Sequence, residues 1–351
     1  MEGVFEYKGN IHIHSDYSDG GAGIESIADY SMKAGLSFIC INDHDYMVHS
    51  LHTDEEGFYN DILVLIGLEI GRRYNHYLAY NINKIVRYNG LGAQEIIDEV
   101  NNQGGFGFIA HPFEKGMPFF EKSIAYTWND HNVDGYTGIC IWNFMSRWKE
   151  RVKTPVHGIL LLLFKSMLLK GPSNETLRCW DMACLKRRTV AIGGSDAHGT
   201  RFKIGGVSFL PFNYKFLLNS INIHILLKER LSRRFKDAKE QVYDAMKQGR
   251  LFIAHDRLRP SEGFEFYYVS QRGKILFMGE EDNFEPGELF VKLPAHGMVR
   301  IIKNGRLWNL GFWKNRVLRV NEKGVYRVEV YKHVPIFGWR AWIFSNPVFL
   351  R

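Results

Sequence analysis

Short apolar runs in this sequence repeatedly end in a histidine or a carboxylate, and this pattern constrains the fold more strongly than any other. The side chains at the ends of these runs are His12 with His14, His44, Glu69, His111, and Asp196 with His198. Helix-like segments separate several of the runs, an alternation that is typical of a parallel α/β sheet or barrel. In such folds the carboxyl ends of the strands meet at one edge, so we expect these side chains to lie close together.

His12 and His14 lie two residues apart, with isoleucines between and beside them. On an extended strand this spacing points both imidazoles to one face. The polar turn that follows supplies a further carboxylate, Asp19. Imidazole together with carboxylate suits Zn, Fe or Mn. A strand with two surface histidines is the alternative, but surface histidines have no reason to recur at one strand end after another, so we predict a metal site.

Helical periodicity occupies four parts of the first 250 residues. The predicted helical segments are residues 23–34, 92–103, 143–188 and a basic region at about 215–249. The longest of them, 143–188, either shapes the pocket beside the strand ends or forms an oligomer interface.

The pattern changes from residue 263 onward to short strands with period-two alternation. Asn304-Gly305 is a strong signal for a hairpin turn, because both residues accept positive φ. Seven or eight such strands favour a β-sandwich. We therefore predict an α/β domain over residues 1–250 and an all-β sandwich domain over residues 251–351.

Composition restricts the class of partner. The 351 residues carry a net charge of +7, but the basic residues are scattered and partly interleaved with acids, so no nucleic-acid partner is expected. The four cysteines form no CxxC pair and no signal peptide is visible, which favours a cytoplasmic protein. The most apolar segment, residues 157–169, contains Lys165 and is shorter than the roughly 20 residues that span a bilayer. No membrane partner is therefore expected.

The ordered motifs of the chain resemble those of the PHP (polymerase and histidinol phosphatase) family. These motifs are His12-x-His14 with Asp19, Asn42-Asp43-His44, Gly67-Leu68-Glu69, His76, His111-Pro112 and Ser195-Asp196-Ala197-His198. The resemblance extends over about residues 8–210. It implies a distorted (β/α)7 barrel with a trinuclear metal centre at the strand ends and, in most members, phosphoesterase activity.

Carried onto this sequence, the resemblance implies nine metal ligands: His12, His14, Asp19, His44, Glu69, His76, His111, Asp196 and His198. Nine nitrogen and oxygen donors exceed the four of a single tetrahedral zinc, so two or three divalent ions of Zn, Fe or Mn are expected. Glu69 and Asp196 would bridge the ions and hold an activated hydroxide as the nucleophile. The predicted activity is hydrolysis of a small phosphorylated molecule.

Three cationic side chains are candidates for contacting the substrate phosphate. Arg72 and Arg201 each lie three residues beyond a predicted ligand, so both start from strand ends that face the predicted site. A guanidinium there can bind phosphate oxygens bidentately, although pairing with a neighbouring acid at the surface is the alternative. Lys115, four residues beyond another predicted ligand, is the third candidate.

Two other functions could use the same residues. The C-terminal run Trp342-Ile343-Phe344-Ser345-Asn346-Pro347 is similar to the end of a PHP branch that includes a carbamate-ester hydrolase. Hydrolysis of a carbamate, ester or amide at the same metal centre is therefore the first alternative. A non-catalytic, metal-dependent binding protein is the second, and the full ligand set argues against it.

Overall fold

A computed structural model describes residues 3–119, 125–204 and 206–351 of the chain. The strands are β1 (Phe5–Ile13), β2 (Phe38–His44), β3 (Gly57–Tyr59), β4 (Ile62–Ile70), β5 (Tyr77–Tyr80), β6 (Phe106–Ile109), β7 (Gly138–Asn143), β8 (Val190–Gly194), β9 (Phe202–Ile204), β10 (Val207–Phe209), β11 (Ile221–Leu227), β12 (Leu251–His255), β13 (Glu265–Ser270), β14 (Ile275–Phe277), β15 (Glu281–Asp282), β16 (Gly287–Lys303), β17 (Arg306–Val320), β18 (Gly324–Val334), β19 (Gly338–Ser345) and β20 (Val348–Leu350). The α-helices are α1 (Ile24–Lys33), α2 (Ala93–Asn102), α3 (Phe144–Lys149), α4 (Pro155–Phe164), α5 (Asn174–Lys186), α6 (Tyr214–Leu217) and α7 (Phe235–Gln248).

The N-terminal part is a mixed α/β structure, as predicted. Its strands pair in the order β8-β7-β6-β5-β4-β2-β1-β11-β12. Strands β1, β2 and β4 are parallel to one another, and so are β6, β7 and β8, but β5 runs antiparallel to both of its neighbours. Beyond β8, at one end of this order, an isolated bridge between Ala197 and Ile13 leads back to β1 in place of a continuous ladder between the described strands. The sheet is therefore not closed, and the predicted barrel is not confirmed.

Strands β13 to β20 follow one another without an intervening helix, in agreement with the predicted all-β segment. The longest two, β16 and β17, form a hairpin whose turn holds Asn304 and Gly305 at φ values of 52° and 75°. The hairpin predicted from these two residues is therefore confirmed. Because β12 pairs with β19, one continuous sheet runs from the α/β part into the C-terminal strands. The sandwich and the boundary at residue 250 remain predictions.

The basic helical region predicted at about 215–249 is wrong over β11. This strand, with the sequence INIHILL, lies antiparallel to β1 and β12, and all seven of its residues are buried. Polar residues alternate with isoleucines over only part of this strand, and the basic residues from Lys228 onward gave the whole region the pattern of a solvated helix. Helix α7 occupies only the last part of the predicted region. No helix of the described residues is long and apolar enough to cross a membrane.

A buried ion cluster centred on His224 ties β1, β11 and the end of β12 together. The His224 Nδ1 atom lies 2.6 Å from a Glu6 carboxylate oxygen, and Nε2 lies 2.9 Å from Asp256. The Ser261 hydroxyl donates a hydrogen bond to Asp256. Burial alone would lower the pKa of His224, but the two carboxylates raise it to about 9. The imidazole is therefore charged at neutral pH and compensates two partly buried acids.

We expect this cluster to make stability depend on pH. The pKa of His224 in the folded protein is about 9 and that of an ordinary histidine is about 6.5, so its contribution is complete below pH 6.5. It is lost as the pH rises through 9, by up to about 3 kcal/mol. Urea unfolding between pH 6.5 and 9.5 should show this decline, and His224→Gln should flatten it. His49→Gln, at an exposed position, is the matched control and should keep the wild-type slope.

Candidate metal centre

His12 reaches the centre through an irregularity in β1 rather than through simple alternation. In the pairing of β1 with β2, Ile11 lies opposite Cys40 and Ile13 lies opposite Ile41, so His12 is an extra residue in a β-bulge. His12 adopts a left-handed φ of 63°. The bulge turns its side chain to the edge where His14 also lies, and the two imidazole centroids are 5.2 Å apart.

Glu69, at the end of β4, is the carboxylate around which the centre is built. Its Oε2 atom lies 3.0 Å from His12 Nε2 and 3.3 Å from both His14 Nε2 and His44 Nδ1. His12 lies on β1, His14 directly follows β1, and His44 ends β2. The register of two parallel pairings, of β1 with β2 and of β2 with β4, brings all three to one oxygen. Glu69 is 1% exposed, which removes competing water from these contacts.

The other oxygen of Glu69 contacts His76 and His111. Oε1 lies 2.7 Å from His76 Nδ1 and 3.2 Å from His111 Nε2. His76 immediately precedes β5, and because β5 runs antiparallel to β4 its amino end lies beside the carboxyl end of β4. This reversal explains why a histidine before a strand joins ligands that follow strands.

The opposite wall of the centre consists of Asp196, Asp19 and His198. Asp196 Oδ1 lies 3.4 Å from both His12 Nε2 and His14 Nε2, and 3.5 Å from His198 Nδ1. Asp19 Oδ1 lies 3.4 Å from His198 Nε2, and Asp19 is partly exposed. The wall therefore opens to solvent on the side of Asp19.

Three of these residues have backbone conformations that side chains disfavour. His12, His111 and Asp196 have φ values of 63°, 25° and 54°. Such conformations cost of order 1 kcal/mol or more each, and they persist where the surrounding structure imposes them, typically at functional sites. The backbone is thus distorted at three separate points so that three side chains can converge.

Many nitrogen atoms of the centre are buried and have no hydrogen-bond partner. They are both ring nitrogens of His12 and His14, Nδ1 of His44 and Nε2 of His76. Buried polar atoms are almost always paired, so this concentration calls for a partner that is not part of the chain. The donors form four overlapping groups, and within each group all ligand atoms lie within 4.8 Å of one another. The groups are His14, Asp19, His44 and His198; His12, His111 and Asp196; His12, His14 and Glu69; and Glu69, His76 and His111.

The protonation of the centre follows from burial and mutual charge. Burial alone would raise the pKa of Glu69 and Asp196, but neighbouring histidines, His12 first among them, hold both well below their usual range. Burial lowers the pKa of His44 to about 3, with a further contribution from His14. The carboxylates are therefore ionised, and His44 presents neutral ring nitrogens, which is the state that ligates a cation. Burial alone would lower the pKa of His14 and of His111, but hydrogen bonds to Asp196 and Glu69 raise the pKa of His14, and Glu69 raises that of His111 to about 9.

The structure brings all nine predicted ligands together, although their binding of metal stays a prediction. The three cationic side chains predicted to contact the substrate phosphate differ in where they lie. The Arg72 guanidinium lies 5.6 Å from the ring centroid of Tyr46, which stacks on His44 at 5.1 Å, so Arg72 is at the rim. Arg201 is exposed beyond His198. Lys115 Nζ lies 2.8 Å from a carboxylate oxygen of Glu175 at the surface. Lys115 therefore pairs with a neighbouring acid, which is the alternative that the sequence left open for the arginines.

Sequence reasoning missed several side chains that support the ligands. Asn143 ends β7 and donates to Asp196 Oδ2 at 3.2 Å while its own oxygen caps α3. The Tyr214 hydroxyl donates to the backbone oxygens of His14 and His198 at 2.7 and 2.9 Å. Glu114 is 4% exposed and accepts a hydrogen bond from Ser146. Asn143, at the end of an apolar run, could have been found by the strand-end rule; Tyr214 had no sequence signal.

Comparison with known proteins supports one part of the resemblance. The family described as the PHP domain matches residues 10–140, so the PHP resemblance is confirmed there. An uncharacterised protein of Methanocaldococcus jannaschii is 26% identical over 117 residues, which are 30% of this chain and 68% of that protein.

Two solved structures match the chain at low sequence identity. One is a two-domain protein from Bacteroides vulgatus containing a predicted PHP-like metal-dependent phosphoesterase, with 15% identity, a TM-score of 0.47, and coverage of 98% of this chain and 96% of that one. The other is described as a putative metal-dependent phosphoesterase from Bifidobacterium adolescentis. It has 15% identity, a TM-score of 0.32, and coverage of 54% and 87%.

Proposed function

We infer that this chain, which carries a PHP domain over residues 10–140, is a metal-dependent phosphoesterase that hydrolyses a small phosphorylated substrate. The observation that carries the proposal is the convergence of nine histidine, aspartate and glutamate side chains from separate strand ends, with several buried ring nitrogens that lack partners. Two or three divalent ions, three of them if the centre is trinuclear, and the distorted (β/α)7 barrel that the resemblance implies belong to the same proposal.

The residues fit such ions in number, chemistry and charge. Oxygen and nitrogen donors of this kind suit Zn, Fe or Mn, and four overlapping groups exceed what one ion can use. Divalent ions bound here would supply Lewis-acid polarisation of the phosphoryl oxygen and a coordinated water of lowered pKa. Histidine nitrogens lie close to both carboxylate oxygens of Glu69, and three imidazoles lie close to Asp196. These two carboxylates are therefore the proposed bridging ligands.

The chain's own residues would orient the substrate from the rim. Arg72 stands over Tyr46, and the ring of Tyr46 covers His44. On the neighbouring side Lys149 Nζ lies 5.7 Å from the centroid of the Tyr126 ring, and that ring lies 5.2 Å from the ring of His76. Two cations are thus held beside aromatic rings that border two proposed ligands, where they favour the approach of an anion.

Arg72→Met is expected to raise KM for a phosphorylated substrate about tenfold or more with a smaller change in kcat. A charge-assisted hydrogen bond to phosphate is worth about 1.5–3 kcal/mol, and its loss weakens binding accordingly. Steady-state kinetics with the best substrate of a screen measures the effect. Arg73→Met is the matched control, because Arg73 lies against Tyr74 instead. Equal effects of the two substitutions would contradict a specific role for Arg72.

The proposed function is tested by release of inorganic phosphate from a panel of phosphorylated metabolites. Activity should be lost on chelation and return with Zn, Fe or Mn, and elemental measurement should find two or three ions per chain. The same metal-loaded protein is offered carboxyl and carbamate esters. Cleavage of those esters without cleavage of any phosphomonoester or phosphodiester would overturn the phosphoesterase proposal.

The C-terminal run that suggested a carbamate-ester hydrolase has a structural role here. The Asn346 side chain accepts a hydrogen bond from the Ala191 backbone at 2.7 Å and donates to the backbone oxygens of Ala191 and Leu251. It thereby ties β8 and β12 together from a buried position. Because this accounts for the asparagine without reference to any substrate, the run does not favour one ester over another.

A further inference from the structure

We propose that an exposed apolar face, formed by α4 and the turn between β18 and β19, docks this protein onto an anionic lipid bilayer. The face comprises Val156, Ile159, Leu163, Phe164, Ile336 and Trp339, and we call it the α4 face. It lies outside the metal centre and is independent of the proposed phosphoesterase activity. It departs from the sequence-based expectation of no membrane partner, because the exposure of the apolar side chains of α4 is a property of the fold and not of the sequence pattern.

Helix α4 is well formed but buries little of its apolar surface. Thr154 caps its first turn by accepting a hydrogen bond from the His157 backbone, and Pro155 occupies the first helical position. Among its residues Leu161 is buried, whereas Val156 and Leu163 are 64% and 70% exposed. Residues 156, 159, 160 and 163 follow helical spacing within α4, so they form one apolar stripe in water.

The turn between β18 and β19 extends this stripe. Ile336 is 99% exposed and has a φ of 70°, which is unfavourable for a β-branched residue. Phe337, the next residue, packs against Phe164 of α4 with ring centroids 5.1 Å apart. Trp339 adds a further exposed ring, with Phe312 of β17 beside it. The helix and the turn are therefore one continuous surface, with a projecting isoleucine.

The charge around the α4 face is positive. Residues 151–174 contain Arg151, Lys153, Lys165 and Lys170 and no acidic residue, and residues 330–351 contain no acidic residue either. Lys153 and Lys170 are exposed and form no ion pair with any described residue. Lysines flanking an apolar, aromatic-rich surface fit anionic headgroups, with the apolar side chains entering the acyl boundary.

A second copy of the chain fits this surface less well. Symmetric self-association would place the lysines of one α4 face near those of the other, and like charges brought together oppose association. A bilayer supplies the opposite charge along with an apolar layer. The lysines lie on either side of the apolar helix and not within it, so they can meet headgroups while the helix and the turn contact the acyl boundary.

Cosedimentation of the full-length protein with vesicles tests the proposal. We expect binding to phosphatidylcholine–phosphatidylglycerol vesicles and little binding to pure phosphatidylcholine. Lys153→Gln with Lys170→Gln should lower the partition coefficient about twenty-fivefold, since each lysine near the surface contributes roughly fivefold. Ile336→Asp and Leu163→Asp should abolish insertion. Ile275→Asp, at an exposed strand position outside the α4 face, should bind as the wild type does.

Unfolding is excluded as a cause by thermal melting, which should not change for Ile336→Asp because the side chain makes no buried contact. Absence of binding to anionic vesicles at low salt would overturn the proposal. Equal binding to both vesicle types would overturn its electrostatic part. A wild-type dimer in analytical ultracentrifugation that dissociates in Ile336→Asp, without vesicle binding, would assign the face to a second copy instead.

Discussion

Glu69→Gln is expected to abolish metal uptake and to lower kcat/KM for a phosphorylated substrate by at least about a thousandfold. Each oxygen of Glu69 faces ring nitrogens of separate strands, five histidines in all. The amide keeps the shape of the side chain but replaces one acceptor by a donor that points at imidazole nitrogens. A thousandfold loss corresponds to about 4 kcal/mol, within the several kcal/mol that metal-assisted stabilisation supplies.

The experiment separates loss of metal from loss of fold. Elemental measurement after reconstitution gives the metal content. Thermal melting with and without added metal shows how far metal binding stabilises the folded state. Metal at a hundred times its Kd stabilises the folded state by about 2.7 kcal/mol, so the wild type should melt higher with metal and the variant should not. Glu240→Gln, on the exposed side of α7, is the matched control and should behave as the wild type. Full metal content in Glu69→Gln would contradict the assignment.

The positions of the predicted ligands could be anticipated because strand ends are marked in the sequence. An apolar run buried on both faces must be followed by polar residues where it leaves the core, and parallel strands deliver those residues to one edge. His44 and Glu69, which lie opposite each other in the pairing of β2 with β4, follow this rule directly. The convergence of these side chains could therefore be predicted from the sequence.

The geometry within the site was not predictable in the same way. Simple alternation placed His12 and His14 on one face, whereas a β-bulge and a left-handed His12 achieve the convergence. The bulge depends on the register between β1 and β2, which is a tertiary property. His76 joined the site through the reversed direction of β5, and strand direction has no local signature. Only the motif order pointed to His76.

The error over β11 has a different origin. Asn222 and His224 alternate with three isoleucines in this strand, but the pattern is short, and a longer basic stretch that begins at Lys228 follows it directly. The role of His224 as the charged centre of a cluster depends on Glu6 of β1 and on Asp256, which directly follows β12. Local periodicity contains no information about such distant partners.

Arg327→Met is expected to lower the free energy of unfolding by about 3–5 kcal/mol, the cost of leaving buried charges without compensation. Arg327 lies on β18 and is 3% exposed. Its guanidinium donates to both carboxylate oxygens of Asp181 on α5, at 2.8 and 3.0 Å, and to Glu329 at 2.6 Å. It also stands 4.9 Å from the centroid of the Trp180 ring. One side chain therefore connects a helix of the α/β part to a C-terminal strand.

Arg300→Met provides the comparison, because Arg300 binds the same carboxylate from a wetter position. Its Nη1 lies 2.9 Å from Glu329, and its side chain is 36% exposed. Removing it leaves Glu329 paired with Arg327, so we expect a loss of about 1 kcal/mol or less. Urea unfolding followed by both tryptophan fluorescence and far-UV circular dichroism measures each change. If the two parts of the chain depend on Arg327 for their coupling, the two signals should separate in Arg327→Met and coincide in Arg300→Met. Equal, small losses in both variants would show that the buried contact contributes no more than the exposed one.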